Sequence, residues 1–147
     1  MGPSMRPEID VSASCACEQV TVRVAGHVRS MFLCSCEDCQ RSTGTGHAAV
    51  ALVPIGDLSV TGETRSFARP AHSGATLTRW FCPTCGTPLY ARSSRADGLA
   101  LLPVGLFGPN TGWFAPNQLI FARSHRDWDV VADHLPRHAT YRDADSS

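Results

Sequence analysis

The sequence predicts a mainly β fold in a single domain, on three observations. Residues 20–24 alternate apolar and polar side chains, which is the period-2 pattern of a half-buried strand. Glycines and prolines interrupt the chain at short intervals, which favours short strands joined by turns. No stretch sustains the 3.6-residue apolar period of an amphipathic helix over three turns. At 147 residues, the chain can bury a core without disulfide bonds.

The elements follow one another closely. We expect residues 1–13 to be a flexible arm, residues 14–138 a folded domain, and residues 139–147 a flexible tail. Residues 37–43 are polar and are followed by Gly44 and Gly46, so they predict at most a single helical turn. Pro103 indicates a sheet edge or a bulge in its strand. The predicted strands are residues 20–24, 27–33, 47–53, 58–61, 64–68, 76–81, 87–92, 98–106 and 118–123.

Two less regular stretches complete the chain. Residues 107–117 predict a loop whose aromatic residues Phe107, Trp113 and Phe114 are candidates for the wall of a pocket. Residues 124–141 predict a polar segment held down by apolar anchors at Trp128, Val130 or Val131, and Leu135.

Composition and charge exclude several classes of partner. The formal net charge is zero and basic residues are scattered, so neither nucleic acid nor an acidic membrane surface is favoured. No apolar run approaches the roughly 20 residues that a transmembrane helix needs, and the first ten residues lack the apolar core of a signal peptide. We therefore expect a cytoplasmic protein, in whose reducing environment cysteines serve metals or catalysis.

The seven cysteines are clustered as a C-x-C, a C-x-C-x-x-C and a C-x-x-C. Scattered core cysteines would not show this spacing, and an odd number would leave one thiol outside a disulfide framework. The outer two pairs, Cys15 with Cys17 and Cys82 with Cys85, supply four sulfurs, the complement of a closed structural zinc site. A redox role for Cys82-Pro83-Thr84-Cys85 is the alternative, although redox pairs usually begin a helix in a βαβ unit.

The central trio is Cys34, Cys36 and Cys39. Three protein ligands with a fourth position open are typical of a catalytic zinc, and a thiol substrate suits such a sulfur-rich site. The alternatives are a closed site completed by His47 or His72, ligands shared between the trio and either pair, and a labile site for metal storage or sensing. His27, His125, His134 and His138 are expected on the surface or in packing.

In the order and spacing of these cysteines the chain resembles the glutathione-dependent formaldehyde-activating enzyme family, or CENP-V/GFA domain. The segments that match are Ser14–Val20 (SCACEQV), Cys34–Arg41 (CSCEDCQR) and Arg79–Leu89 (RWFCPTCGTPL), with a closing pattern of Gln118–Phe121, Trp128 and Leu135-Pro136. One position departs: Glu18 stands where the family usually has glycine, which a turn tolerates if φ stays negative.

The resemblance implies a fold, a cofactor and an activity. The fold is a Mss4-like β architecture around a structural zinc held by Cys15, Cys17, Cys82 and Cys85. A second, catalytic zinc falls to Cys34, Cys36 and Cys39, so two Zn²⁺ ions per chain are expected. The implied activity is a carbon–sulfur lyase reaction that joins formaldehyde and glutathione as S-hydroxymethylglutathione.

The leading hypothesis is therefore a zinc-dependent carbon–sulfur lyase acting on an aldehyde adduct of glutathione or another small thiol. Arg41 follows the trio directly, and its planar fork suits a substrate carboxylate. A solvated surface position is the other interpretation of Arg41. The alternative function is a non-catalytic zinc-stabilised β module that binds a protein partner. The substrate and a homo-oligomeric state stay open.

Overall fold

The computed structural model describes residues 6–142, which form ten strands and one short α-helix. The strands are β1 (Glu8–Ser14), β2 (Thr21–His27), β3 (Ser30–Cys34), β4 (Ala48–Pro54), β5 (Leu58–Thr61), β6 (Arg65–Pro70), β7 (Thr76–Phe81), β8 (Pro88–Ser93), β9 (Leu99–Pro103) and β10 (Leu119–Ile120). The helix is α1 (Glu37–Thr43), and short 3-10 helices lie at Ile55–Asp57, Ser94–Ala96, Val104–Phe107 and Ala122–Ser124. The mainly β class predicted from the sequence is confirmed. Within the described range, no helix is both long and apolar enough to cross a membrane.

The chain divides into two compact units. Unit 1 comprises Met1–Ser30 and Ala51–Phe114, and unit 2 comprises Met31–Val50 and Ala115–Ser147. Each group of cysteines lies within one unit, because the two outer pairs fall in unit 1 and the central trio in unit 2.

A three-stranded antiparallel sheet in unit 1, in the order β1-β2-β5, supports the first cysteine pair. In β2, Val22 and Val24 are fully buried while Thr21 and Arg23 are exposed, so the alternation read from the sequence marks the core face. Just after β5, a Cβ on Gly62 would lie 2.4 Å from the carbonyl oxygen of Gln19. Only glycine therefore allows this approach to the turn that carries Cys17.

Strands β6 to β9 lie side by side in unit 1, and antiparallel pairs join β6 to β7, β7 to β8 and β8 to β9. The turn between β7 and β8 carries Cys82 and Cys85. It is closed by hydrogen bonds from Gly86 N to Cys82 O (2.8 Å) and from Cys82 N to Thr87 O (3.0 Å). Gly86 has φ +77°, the left-handed conformation that ends such a turn.

In unit 2, β10 runs parallel to β3 and fixes the start of the trio. The register pairs Leu119 with Leu33 and Ile120 with Cys34. Met31 in β3 and Leu119 in β10 are fully buried. Two residues separate β3 from helix α1, and Gly44, with φ +74°, is the C-cap of that helix.

The structure corrects the predicted N-terminal arm. Residues 8–13 belong to β1, which pairs along its full length with β2, from Glu8 opposite His27 to Ser14 opposite Thr21. Ile9, Val11 and Ala13 carry the alternation that a strand needs, and Ile9 is buried. Residues 1–5 of that arm lie outside the described residues.

The predicted tail and two aromatic assignments also change. Backbone hydrogen bonds from Phe121 N to Thr140 O (2.8 Å) and from Arg123 N to Ala139 O (3.4 Å) hold the chain beyond residue 138. Residues 143–147 of the tail lie outside the described residues. Phe107 is buried in the core of unit 1 rather than exposed in a loop. The anchor predicted at Trp128 is wrong, because that side chain is 66% exposed. Val131 and Leu135 are buried as predicted.

Candidate metal centres

The four sulfurs of Cys15, Cys17, Cys82 and Cys85, here called the four-thiol group, converge in unit 1. Their Sγ atoms all lie within 4.8 Å of one another. Cys17 Sγ is 3.6 Å from both Cys15 Sγ and Cys82 Sγ. Sulfur ligands about 2.3 Å from a tetrahedral zinc are roughly 3.8 Å apart, so this donor set fits the ion.

Local hydrogen bonds shape both turns that bear the four-thiol group. The turn after β1 is closed by Glu18 N to Cys15 O (2.9 Å) and Cys15 N to Val20 O (2.9 Å). Cys15 Sγ accepts the backbone N–H of Val20 at 3.3 Å. Thr87 joins the two turns, since its hydroxyl accepts Ala16 N–H at 3.1 Å and lies 3.2 Å from Cys85 Sγ.

Glu18 has φ +67°. The expectation that this residue keeps a negative φ is therefore wrong. A non-glycine residue in the left-handed region costs about 1–2 kcal/mol. The tight Cys15–Glu18 turn therefore carries strain that the glycine usual at this position would avoid.

Electrostatics within the four-thiol group favour a bound cation. The hydrogen bonds of Thr87, foremost its hydroxyl, lower the pKa of Cys85 to about 5. The Gln19 N–H lowers the pKa of Cys17, but burial and the neighbouring thiols outweigh it and raise that pKa to about 12. Thiols this close cannot all ionise by themselves, whereas a divalent ion lets all four act as thiolates.

The trio of Cys34, Cys36 and Cys39, here called the three-thiol group, lies where β3 leads into α1 in unit 2. Its three Sγ atoms also fall within 4.8 Å of one another. Cys36 is the N-cap of α1, and its Sγ accepts the Cys39 N–H at 3.2 Å. Cys34 and Cys39 are buried, whereas Cys36 is half-buried.

Apolar side chains enclose this group and raise the cost of uncompensated charge. Ile120 and Phe121 form a buried cluster with Cys34 and Cys39, and Phe121 meets the Tyr141 ring edge-on at 4.9 Å between centroids. Hydrogen bonds from Cys36 and Cys39, followed by burial, raise the pKa of Cys34 far above its ordinary value. Phe121 itself has φ +56°, a strained conformation for an aromatic residue at the edge of a candidate site.

Neither histidine proposed as a fourth ligand joins the three-thiol group. Among residues 6–142, the ligand atoms gathered within 4.8 Å there are the three sulfurs. His47 instead points its Nδ1 at Asp129 Oδ2, 2.7 Å away. His72 belongs to unit 1.

His47, Asp129 and His125 form a polar network that the sequence did not reveal. Asp129 is buried, and His125 Nε2 lies 3.3 Å from the same Oδ2 that His47 contacts. A Cβ on Gly46 would lie 2.4 Å from Asp129 Cγ, so glycine makes room for the carboxylate. Arg137 Nη1 is 3.5 Å from His125 Nδ1. In the sequence, only the i, i+4 spacing of His125 and Asp129 indicates this contact, and such spacing is common in polar segments.

Replacing Asp129 with asparagine should lower the free energy of unfolding by about 1–3 kcal/mol, because a buried carboxylate that faces two imidazoles is lost. Chemical denaturation followed by far-UV circular dichroism measures this. Asp127→Asn is the matched control, since Asp127 is exposed two residues away. Equal stability of the two variants would show that the network does not stabilise the fold.

A groove of about 330 Å³ borders helix α1 in unit 2. Glu37, Gln40 and Arg41 line it from the helix, and Arg126 and Trp128 line it from the C-terminal segment. Arg41, singled out by the sequence, is therefore on the wall of a groove, with its Nη2 4.0 Å from Glu37 Oε2. The sequence carried no signal for Arg126 and Trp128 in this groove, because only the fold brings these residues to the helix.

Comparison with known proteins gives consistent matches. A family model described as glutathione-dependent formaldehyde-activating enzyme matches residues 10–124, a range that includes all seven cysteines. A Penicillium rubens protein named "Putative glutathione-dependent formaldehyde-activating enzyme" is 27% identical over 141 residues, covering 84% of this chain and 73% of its own length. An Aspergillus flavus protein with the same name is 32% identical over 80 residues, covering 53% of this chain and 41% of its own length.

A crystal structure of a Rhodobacter sphaeroides protein superposes with a TM-score of 0.54 at 20% identity, covering 67% of this chain and 88% of that one. At this identity the likeness concerns the fold alone. The family model, by contrast, matches well over half of the chain. The chain belongs to the glutathione-dependent formaldehyde-activating enzyme family.

Proposed function

We propose that the protein is a zinc-dependent carbon–sulfur lyase that forms and cleaves the adduct of formaldehyde with glutathione or a related small thiol. The observation that carries this proposal is the three-thiol group, whose convergent sulfurs gain no fourth protein ligand from their described surroundings. The family names support the choice of glutathione and formaldehyde.

The proposal gives the two cysteine groups different tasks. Cys15, Cys17, Cys82 and Cys85 would hold a structural zinc, because four thiolates complete its tetrahedron. Cys34, Cys36 and Cys39 would hold the catalytic zinc, which supplies a Lewis acid that favours the thiolate form of a bound thiol. Cys36 is the ligand that solvent reaches, since Cys34 and Cys39 are buried.

The protein chain contributes little covalent chemistry to this reaction. In the synthetic direction the thiol sulfur bonds to the carbonyl carbon of formaldehyde, and the thiol proton ends on the carbonyl oxygen as the new hydroxyl group. The protein's share is to hold the two reactants together, which removes much of the entropic barrier of a bimolecular step. Ile120 and Phe121 supply the apolar surroundings that limit competing water.

The activity is tested by exchange NMR of a glutathione and formaldehyde mixture. The zinc-loaded protein should raise the rate of exchange between free glutathione and its hydroxymethyl adduct above the spontaneous rate. No increase over spontaneous exchange, from protein that holds two zinc ions per chain, would contradict the proposal. That outcome would favour the alternative function, a zinc-stabilised β module that binds a protein partner.

A further inference from the structure

We infer that the groove beside α1 binds a carboxylate of the peptide thiol, with Arg126 as the residue that recognises it. In the absence of ligand, the Glu37 carboxylate pairs with Arg41 and Arg126, and a ligand carboxylate displaces it from Arg126. The identity of the ligand rests on the proposed function, whereas the recognition of a carboxylate rests on the groove.

The guanidinium of Arg126 is fixed by Gln40. The Gln40 side-chain amide donates to Ser35 O at 2.8 Å and to Ser124 O at 2.9 Å, so both amide hydrogens are used. Its Oε1 accepts the Nε–H of Arg126 at 3.1 Å. Because Nε is held, the plane of the guanidinium is set before any ligand binds, which reduces the entropy lost per hydrogen bond.

This arrangement also ties the groove to the three-thiol group. Ser35, one of the two residues whose carbonyls hold Gln40, lies between Cys34 and Cys36 in the chain and is fully buried. The other carbonyl belongs to Ser124, two residues before Arg126. One glutamine side chain therefore joins the backbone of the three-thiol group to the segment that carries the arginine.

The charges in the groove are not balanced. Glu37 Oε1 lies 3.8 Å from Arg126 Nη2, and Glu37 Oε2 lies 4.0 Å from Arg41 Nη2. One carboxylate thus stands between two guanidinium groups, at distances longer than a hydrogen bond. Exposed pairs of this kind are weak, so a ligand carboxylate that forms a bidentate contact with Arg126 would replace Glu37.

The size of the groove and its aromatic wall fit a small peptide. Its volume of about 330 Å³ is within the range of small-molecule sites. Trp128 lines it and is 66% exposed, which packing of the fold does not account for. A thiol tripeptide with two carboxylates offers both the negative charge and the size that this site requires.

The test uses S-methylglutathione, a thioether that retains both carboxylates but has no thiol to ionise. Isothermal titration with the zinc-loaded protein should show that Arg126→Gln raises Kd about tenfold or more, as expected when a charged hydrogen bond is lost. Glu37→Gln should lower Kd, because the internal competitor is removed. Arg23→Gln is the matched control: Arg23 is exposed, pairs with Asp10 on the sheet of unit 1, and loses the same charge.

Arg126→Gln and Glu37→Gln should change Kd in opposite directions. Damage to the fold cannot explain this result, since it would not strengthen binding. The dimethyl ester of S-methylglutathione, which lacks both carboxylates, should bind the wild type and Arg126→Gln alike. Absence of wild-type binding, equal Kd for wild type and Arg126→Gln, or an equal loss in Arg23→Gln would overturn the inference. If binding depends on Arg126 but the protein has no lyase activity, only the proposed function is rejected. If the protein is active but Arg126→Gln leaves Kd unchanged, only this site is rejected.

Discussion

Replacing Cys82 with serine should remove one of two zinc ions per chain and destabilise the domain severely. Cys82 is almost fully buried, and its group joins the turn after β1 to the turn between β7 and β8, 65 residues further along the chain. A zinc held there restricts the unfolded chain over that loop. Structural zinc sites contribute on the order of 10 kcal/mol to folding, comparable with the roughly 5–15 kcal/mol stability of a whole domain.

The measurement combines metal analysis by mass spectrometry with thermal unfolding of the same sample. Wild-type protein should contain close to two zinc ions, and Cys82→Ser close to one, with a much lower Tm or no cooperative transition. One zinc ion in the intact wild-type protein would refute the assignment of two sites. Cys82→Ser protein with two ions and a wild-type Tm would refute the structural role of the four-thiol group.

Replacing Cys36 with serine should abolish activity and release the other zinc ion while the fold survives. The Cys36 Sγ accepts the N–H of Cys39 as the N-cap of α1, and serine is a preferred N-cap residue, so this contact persists. What disappears is a thiolate ligand. Changing groups that merely orient a metal ligand costs about 10–100-fold in activity or affinity, so losing the ligand itself should cost more.

Three measurements separate chemistry from folding here. Glutathione–formaldehyde exchange should fall at least about a hundredfold for Cys36→Ser, and bound zinc should fall to one ion. The variant should still unfold cooperatively, with a Tm well above that of Cys82→Ser. Cys36→Ala is the paired variant, because it also removes the cap and should lose a further 1 kcal/mol or so of stability. Full exchange activity in Cys36→Ser would exclude the three-thiol group as the catalytic centre.

Much of the fold could be predicted because its signals are local. The β7 and β8 strands were expected at residues 76–81 and 87–92 and are found at Thr76–Phe81 and Pro88–Ser93. Their boundaries are set by the cysteine turn between them, where Gly86 adopts a conformation that other residues avoid. The class follows in the same way from alternation and turn residues. The single domain at residues 14–138 stays a prediction, whereas the flexible arm expected at residues 8–13 is wrong, because these residues belong to β1.

The sites were predictable only where residue type and spacing carry the chemistry. Thiols two or three residues apart form a local pattern, so the three cysteine motifs were visible in the chain. Cys17 and Cys82 are 65 residues apart, so the convergence of the two outer pairs depends on the fold. The roles given to them, structural and catalytic, stay predictions that the experiments above address. Arg41 was found because it is next to the trio, although Arg126 is the better-held arginine.

By itself, then, the sequence determined the mainly β class and the grouping of its cysteines into three short motifs, since alternation, turn chemistry and cysteine spacing act within a few residues. Tertiary structure alone decided that the two outer cysteine pairs converge, that His47 meets Asp129, and that Gln40 fixes Arg126. Each of these depends on contacts between segments that are well separated in the chain. Such contacts depend on how the whole backbone packs, and no short pattern encodes them.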